Sequence, residues 1–369
     1  MKVALVHDWL VVNGGAEKVL QRLLAIFPNA DLYTLVDFLE EKDRTWLNGT
    51  KITTSFIQKL PFAKSKYSNY LSLFPIAVEQ FDMSGYDLII SSSYCVAKGV
   101  ITGPEQVHLS YCHSPARYAW DLQAQYLKES NLDSGVKSAI ARYILHKFRI
   151  WDVRTANSID AFVANSSFIK KRILKCYRRD AIIVYPPVEL DRFELYEPKE
   201  DYYLAASRMV PYKRIDLIVE AFTKMPNRNL KVIGSGPELD KVKNIAKGFG
   251  NIDIMGYQTD VVLTETMQKA KAFVFAAEED FGILPVEAQA CGTPVLAYGK
   301  GGCLETVKSQ VSGLHFDSQS TKSIVEVVDK FEAMDFDPVL VRENAMQFSS
   351  QQFDESILAL VNELREFVG

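Results

Sequence analysis

The sequence predicts an α/β protein made of two Rossmann-like, doubly wound domains facing each other across a cleft. Three observations carry the prediction: a length of 369 residues, a strand–helix–strand rhythm through the second half, and a less regular version of that rhythm in the first. The length exceeds one usual hydrophobic core and suits two domains of roughly 150–200 residues each.

Taken in chain order, the first element is a strand at Lys2–Val6, which polar His7 and Asp8 stop far short of a signal-peptide core. A loop at Asn13, Gly14 and Gly15 then leads into a helix whose Val19, Leu20, Leu23, Leu24 and Phe27 fall at helical spacing. Leu88–Ser91 reads as a buried strand, and Ile182–Val184 as another that ends at Pro186 and Pro187. Glu189 to Asp201 is rich in charge and turn formers, which places the hinge there. The expected organisation is a domain over 1–190, a second over 191–350, and a closing helix over 351–369 that packs back on the first. In the second domain, strands at Tyr202–Ala206, Leu230–Ile233, Ile252–Met255, Ala272–Ala276 and Pro294–Ala297 alternate with helix-length amphipathic segments. The first of these helices shows Ile215, Leu217, Ile218, Val219 and Phe222 on its apolar face, and crossovers of this length imply a parallel sheet covered on both sides. From Asp354 to Phe367, residues Ile357, Leu358, Leu360, Val361, Leu364 and Phe367 give the closing helix one buried face.

Composition narrows the class. Hydrophobic residues make up 48% and charged residues 24%, as in a soluble globular chain, and a net charge of -4 argues against a nucleic-acid partner. Cys95, Cys112, Cys176, Cys291 and Cys303 are scattered without a C-x-x-C pair, which suits reduced thiols in the cytoplasm and gives zinc no site. No run approaches the roughly 18 apolar residues of a spanning helix, so any membrane contact is expected to be peripheral. The triplet Asn48, Gly49, Thr50 matches a glycosylation acceptor, a match without meaning in a cytoplasmic chain.

Two strand-to-helix junctions in the second half could carry chemistry. Ser207 to Arg214 places Arg208 and Lys213 where a bound anion meets free helix N–H groups; the alternative is a surface loop with ordinary basic residues. Glu278 to Ala288 places Glu279 in the loop and Glu287 on the first turns of a helix starting near Pro285, with Gly282 allowing backbone amides close to a ligand. Acidic residues near a helix start also serve as caps, which explains one glutamate but not the whole junction together with Cys291 to Pro294 and Lys300 to Glu305.

The spacing from Glu279 to Glu287 resembles the E-x7-E element of retaining GT-B glycosyltransferases of family GT4, and the resemblance extends over nearly the whole chain. Asn13 to Glu17 is similar to that family's N-terminal glycine loop, and Ser110 to Trp120, containing His113, Pro115 and Arg117, to its H-x-P-x-R motif. Asn165 to Ser167 and Tyr185 to Val188 match the end of its first domain. The resemblance implies that Arg208 and Lys213 hold the donor diphosphate and Glu287 the ribose hydroxyls. Glu279 and the amides near Phe281, Gly282, Ile283 and Leu284 would hold the donor sugar, with Gly14 and Gly15 over the phosphates. His113 would stand near the reacting carbon, and Gly256 with Tyr257 would line the base pocket. Transfer would proceed with retention and without a metal or other cofactor, the nucleotide sugar being a co-substrate. Bacterial mannosyltransferases of surface-polysaccharide assembly using GDP-mannose are the nearest resemblance, with a saccharide or polyprenyl-linked acceptor. Two other readings stay open: a GT-B nucleotide-sugar 2-epimerase, and a catalytically silent nucleotide-sugar-binding subunit.

Other patterns are set aside or left divided. Asp335, Phe336 and Asp337 spell the D-x-D of metal-dependent transferases but precede Pro338 in a late inter-helical stretch. Gly234, Ser235 and Gly236 lack the third glycine of a dinucleotide fingerprint yet suit a phosphate-side loop. The segment 51–78 carries Lys51, Lys59, Lys64 and Lys66 among Phe56, Leu60, Phe62, Tyr67, Tyr70, Leu71 and Phe74 with no acidic residue. It reads either as a contact with an anionic membrane or a lipid-phosphate acceptor, or as a helix pair with a solvated lysine face. The basic run from Lys170 to Arg179, with Ile169, Ile173 and Tyr177 on an apolar face, reads as a structural helix.

Overall fold

The computed structural model describes residues 1–47 and 49–368, without the side chains of Phe367 and Val368. Asn48 of the glycosylation-like triplet and the Phe367 side chain therefore lie outside the described residues. The chain forms two units, Met1–Pro187 together with Phe353–Gly369, and Val188–Gln352.

In the first unit the strands are β1 (Val3–His7), β2 (Asp31–Thr34), β3 (Ile52–Thr54), β4 (Leu88–Ser93), β5 (Val107–Cys112), β6 (Ala161–Ala164) and β7 (Ile182–Ile183). They pair in parallel in the order β3-β2-β1-β4-β5-β6-β7. Winding reverses between β1 and β4, which is where a doubly wound sheet opens a crevice at its carboxyl edge. Helices α1 (Gly15–Ile26), α2 (Phe74–Glu79), α3 (Gly135–Thr155) and α4 (Ser167–Tyr177) cover the two faces. Leu5, Leu20, Leu23 and Leu32 pack on one side, and Val6, Ile89, Phe74 and Phe148 on the other. Each such buried side chain contributes about 1.5–3 kcal/mol.

The second unit contains β8 (Tyr203–Ala206), α5 (Ile215–Thr223), β9 (Leu230–Ile233), α6 (Leu239–Ala246), β10 (Ile252–Gly256), α7 (Asp260–Lys269) and β11 (Ala272–Phe275). It continues through α8 (Ile283–Ala290), β12 (Val295–Tyr298), β13 (Gly313–Phe316), α9 (Thr321–Glu332) and α10 (Pro338–Met346). The sheet order is β10-β9-β8-β11-β12-β13, all parallel, so its winding reverses between β8 and β11. Every strand expected here is present with ends shifted by a residue or so, and β13 is an addition. At Gly313 a Cβ would stand 1.9 Å from the Val295 carbonyl oxygen, so that strand pairs closely only with glycine there.

The last helix, α11 (Ser350–Val368), turns Phe353, Ile357, Leu360 and Val361 into the core of the first unit. The Phe353 ring lies 5.8 Å from that of Tyr111, and Asp354 accepts two hydrogen bonds from the Arg22 guanidinium.

Segment 51–78 is not a helix pair. It begins with edge strand β3, continues in short 3-10 turns interrupted by Pro61, and becomes α-helical for more than one turn only at α2. Phe74 is buried, Phe56, Leu60, Tyr67, Tyr70 and Leu71 are half-buried against the same core, and Phe62 stands exposed. The Lys170–Arg179 run is α4 and its C-cap, with Ile169, Ile173 and Tyr177 buried. Asp337 caps α10 by accepting the Val339 N–H at 2.8 Å, a structural use for the D-x-D spelling. The five cysteines are free thiols.

Candidate functional site

The loops that leave the carboxyl edge of the second sheet carry the predicted residues, and the two that flank the reversal between β8 and β11 carry the charged ones. After β8, Ser207 N–H reaches the Ile233 carbonyl at 3.1 Å and Met209 N–H the Ser235 carbonyl at 2.8 Å. The loop after β9 thus rests against the loop after β8. Glycine is required for that approach: a Cβ on Gly234 would fall 1.9 Å from the Ser207 oxygen, and one on Gly236 2.5 Å from the Met209 oxygen. Arg208 is exposed on this loop, and Lys213 closes a 3-10 turn over Pro211–Lys213 just before α5.

After β11 the chain runs through Glu279 and Asp280 to Phe281, which is buried edge-on to Phe348 at 5.5 Å. Gly282, at φ 87°, is the N-cap of α8, so the helix begins at Ile283, two residues before the expected Pro285. The N–H groups of Ile283 and Leu284 belong to the first turn, whose donors have no intrahelical partner and point toward where an anion would sit. A second turn supports this loop: Gly302 N–H donates to the Glu279 carbonyl at 2.8 Å, and a Cβ on Gly301 would lie 2.2 Å from that oxygen.

Lys213 and Glu279, one from each flanking loop, meet in an ion pair between half-buried side chains. Glu287 lies one turn further along α8, nearly buried, with the Arg192 guanidinium 4.0 Å from its Oε1. The edge thus presents cationic groups, free amides and two carboxylates, which is what a diphosphate and its hydroxylated neighbours need. Tyr257 follows β10 and is exposed; β10 is two strands from β8, about 10 Å at sheet spacing, so the tyrosine stands to one side of the charged group.

In the first unit the corresponding reversal, between β1 and β4, holds a buried polar chain. Gly14 N–H donates to Glu17 Oε2 at 2.9 Å, which starts α1 with Gly14 and Gly15 in place. Glu17 Oε1 is 3.4 Å from His7 Nε2, His7 Nδ1 is 3.1 Å from Ser92 Oγ, and Ser92 Oγ is 2.8 Å from His113 Nε2. With the Glu17 carboxylate accepting from His7 Nε2–H, His7 Nδ1 accepts the Ser92 hydroxyl. The Ser92 oxygen then accepts His113 Nε2–H, and the His113 Nδ1 lone pair stays open. Burial, and secondarily the neighbouring His7, push the His113 pKa down to about 3, so it acts as a neutral group near pH 7. Asn165 holds the His113 carbonyl at 3.1 Å. Asp8 clamps the loop after β4 by accepting the N–H groups of Tyr94, Cys95, Val96 and Ala97 at 2.6 to 2.9 Å.

The structure therefore joins Lys213 directly to Glu279, sets Ile283, Leu284 and Glu287 on one helix behind Gly282, and leaves Arg208 and Tyr257 on exposed loops. Arg192, Asp8, His7, Ser92 and the bond from Glu17 to Gly14 carry no site role in the sequence pattern. A signal for some of them was present: the polar pair His7 and Asp8 ends an apolar strand at a carboxyl edge, where ligands and loop clamps collect.

Comparison with known proteins bears on the fold and on the second unit. Residues 188–348 match the family model described as Glycosyl transferases group 1. A GDP-mannose-dependent alpha-(1-6)-phosphatidylinositol monomannoside mannosyltransferase of Mycobacterium tuberculosis is 29% identical over 204 residues, covering 47% of this chain and 53% of the relative. A D-inositol 3-phosphate glycosyltransferase of Geodermatophilus obscurus is 31% identical over 186 residues, covering 42% and 41%. The chain thus spans about half the length of the curated relatives it matches. Among solved structures, Anabaena HepE in complex with UDP superposes with a TM-score of 0.72 at 17% identity, covering 98% of this chain and 100% of that one. The lipopolysaccharide outer core galactosyltransferase WaaB gives 0.70 at 16% identity, covering 98% and 99%. The fold is GT-B, and the second unit carries the group 1 glycosyltransferase match.

Proposed function

We propose that the protein is a retaining hexosyltransferase that moves mannose from GDP-mannose to a saccharide or polyprenyl-linked saccharide in cell-surface polysaccharide synthesis. One observation carries the reading. Lys213 and Glu279 leave the two strands that flank the reversal of the second sheet and meet at its carboxyl edge, beside the open amides of α8 and the nearly buried Glu287. On this reading Lys213 and Arg208 take the diphosphate, Glu287 the ribose hydroxyls, and Glu279 with the amides of Phe281 to Leu284 the sugar. Tyr257 borders the base, Gly14 and Gly15 serve the phosphates, and His113 presents its neutral ring and carbonyl to the sugar. GDP-mannose is chosen because the mycobacterial relative is named for that donor; the UDP in HepE makes UDP-sugars the rival.

The bond from the anomeric carbon to phosphate breaks as an acceptor oxygen attacks the same face, and the departing phosphate takes the acceptor's proton. No enzymic base is then required, and cationic side chains with helix ends supply the neutralisation that a metal would give elsewhere. Glu279 is not assigned as a nucleophile, since its ion pair with Lys213 stabilises the carboxylate and weakens it for attack. The reading sets the protein at work in the cytoplasm, on the inner face of the plasma membrane. No described helix is long and apolar enough to cross a membrane.

The test is a panel of nucleotide sugars with detection of free nucleotide and of sugar product. GDP release from GDP-mannose, raised by acceptor, is the expected result. Release from UDP-sugars alone would move the donor assignment. An isomerised sugar would point to an epimerase, and binding without turnover to a silent subunit; either would overturn the transferase reading.

A further inference from the structure

Helix α3 of the first unit is apolar on two opposite sides, and its own unit explains only one of them. Ser138, Leu145, Phe148, Asp152 and Thr155 face inward, with Leu145 and Phe148 in the core. On the other side Val136, Ile140, Tyr143 and Ile150 are 79%, 56%, 61% and 54% exposed. Their spacings of four, three and seven residues put them on one stripe of the helix. Four large apolar side chains left in water along one face mark a contact surface and not chance scatter.

The exposed charges on the helix itself are all positive. Lys137, Arg142 and Lys147 are exposed beside it, and the Lys147 ammonium lies 5.6 Å from the Tyr143 ring centre. Asp152, the only acidic residue in the helix sequence, is turned inward and bound to buried Lys98 at 2.5 Å. The surface continues onto α2. Glu79 accepts from Trp151 Nε1 at 2.7 Å and pairs with Arg154, and exposed Ile76 lies about one turn before Glu79 on the same side.

We infer that α3 lies flat on an anionic lipid bilayer, with Val136, Ile140, Tyr143 and Ile150 in the interface and Lys137, Arg142 and Lys147 at the headgroups. An apolar stripe bordered by lysine and arginine is what an in-plane interfacial helix requires, and its 21 residues span about 30 Å. A second copy of the chain is a poor occupant, because a two-fold contact along the helix would set Lys137, Arg142 and Lys147 against the same cations of the other copy, with no exposed acid on the helix itself. This inference goes beyond the proposed transfer reaction and stands without it. It also assigns the lipid contact to a different element from segment 51–78.

The experiment is vesicle co-sedimentation of the intact chain with phosphatidylcholine alone and with phosphatidylcholine containing phosphatidylglycerol. The protein is expected to bind the anionic vesicles, to release partly as salt rises, and to lose binding roughly tenfold in Tyr143→Glu/Ile150→Glu. Both positions are exposed, so that variant should keep the wild-type melting temperature and nucleotide affinity. In a second variant, Ile140→Trp, indole emission should shift to the blue on adding anionic vesicles. Lys59→Glu/Lys64→Glu/Lys66→Glu should retain most binding. The inference is overturned by absent binding to anionic vesicles, by equal binding of the Tyr143/Ile150 variant, or by loss of binding only in the triple-lysine variant. A dimer in solution that the Tyr143/Ile150 variant dissociates would also overturn it. Nucleotide binding in every case reports separately on the second unit.

Discussion

Removing the Glu287 carboxylate tests the donor site at one point. The side chain is nearly buried on α8, with the Arg192 guanidinium 4.0 Å away. Glu287→Ala is read beside the wild-type melting temperature, so that any lost binding is measured on folded protein. On the proposed reading, what it removes on binding follows from the ribose. Two ribose hydroxyls donating to a carboxylate contribute about 1.5 kcal/mol each at the low end of charged hydrogen bonds, about 3 kcal/mol together. At 1.4 kcal/mol per factor of ten, the dissociation constant for GDP should rise about 100-fold. Titration calorimetry measures this directly, and a 2′,3′-dideoxy nucleotide supplies the control. Lacking those hydroxyls, it should bind wild type and variant alike. Unchanged GDP affinity in the variant, or an equal loss for the dideoxy nucleotide, would refute the ribose role.

Three further outcomes follow from the same geometry. Lys213→Ala should lower kcat at saturating donor by roughly 10²–10³, since it removes a cation from the leaving phosphate and frees the charge of Glu279 beside it; steady-state kinetics with a fixed donor checks this. Adding a chelator should leave turnover intact, and activity lost and then restored by a divalent ion would contradict a metal-free diphosphate site. Acid should destabilise the fold through buried His108, whose pKa burial and then Lys98 depress to about 3 from an unfolded value near 6.5. The unfolded chain binds a proton across that window and the native chain does not, so this stability is complete above about pH 6.5 and is lost as pH falls toward 3. The loss reaches about 2–3 kcal/mol by about pH 4.5, and denaturant midpoints for His108→Gln should therefore fall less between neutral and acid pH than those of wild type.

The second unit was legible because its strands are runs of apolar residues buried on both faces and its helices carry clear stripes. Leu230–Ile233 shows this, and so does α5 with its row from Ile215 to Phe222. The first unit hid more. β5 reads Val-His-Leu-Ser-Tyr-Cys, yet all six residues are buried, so His108 and Ser110 look like a solvent face that does not exist. β2 and β3 are short, and the lysines and aromatics around Ile52–Thr54 drew attention away from a three-residue edge strand. α3 escaped for another reason. Apolar on both sides, it has little amphipathic contrast for periodicity to find.

In the site, residue types and spacing marked Lys213, Glu279 and Glu287, because a charge at a strand-to-helix junction needs a reason. That Lys213 and Glu279 touch was not readable, since their loops follow strands separated by three helices and two strands of chain. Nor was the path from Glu17 through His7 and Ser92 to His113, whose members come from α1, β1, β4 and the end of β5 and meet only through strand order.

The most direct measurement is proton NMR of the anomeric signal while the purified chain consumes GDP-α-mannose, with water as acceptor. Retention at this edge predicts that α-mannose forms first, before mutarotation, and that Lys213→Ala suppresses its formation. β-Mannose as the first product, or release that does not depend on Lys213, would contradict the account.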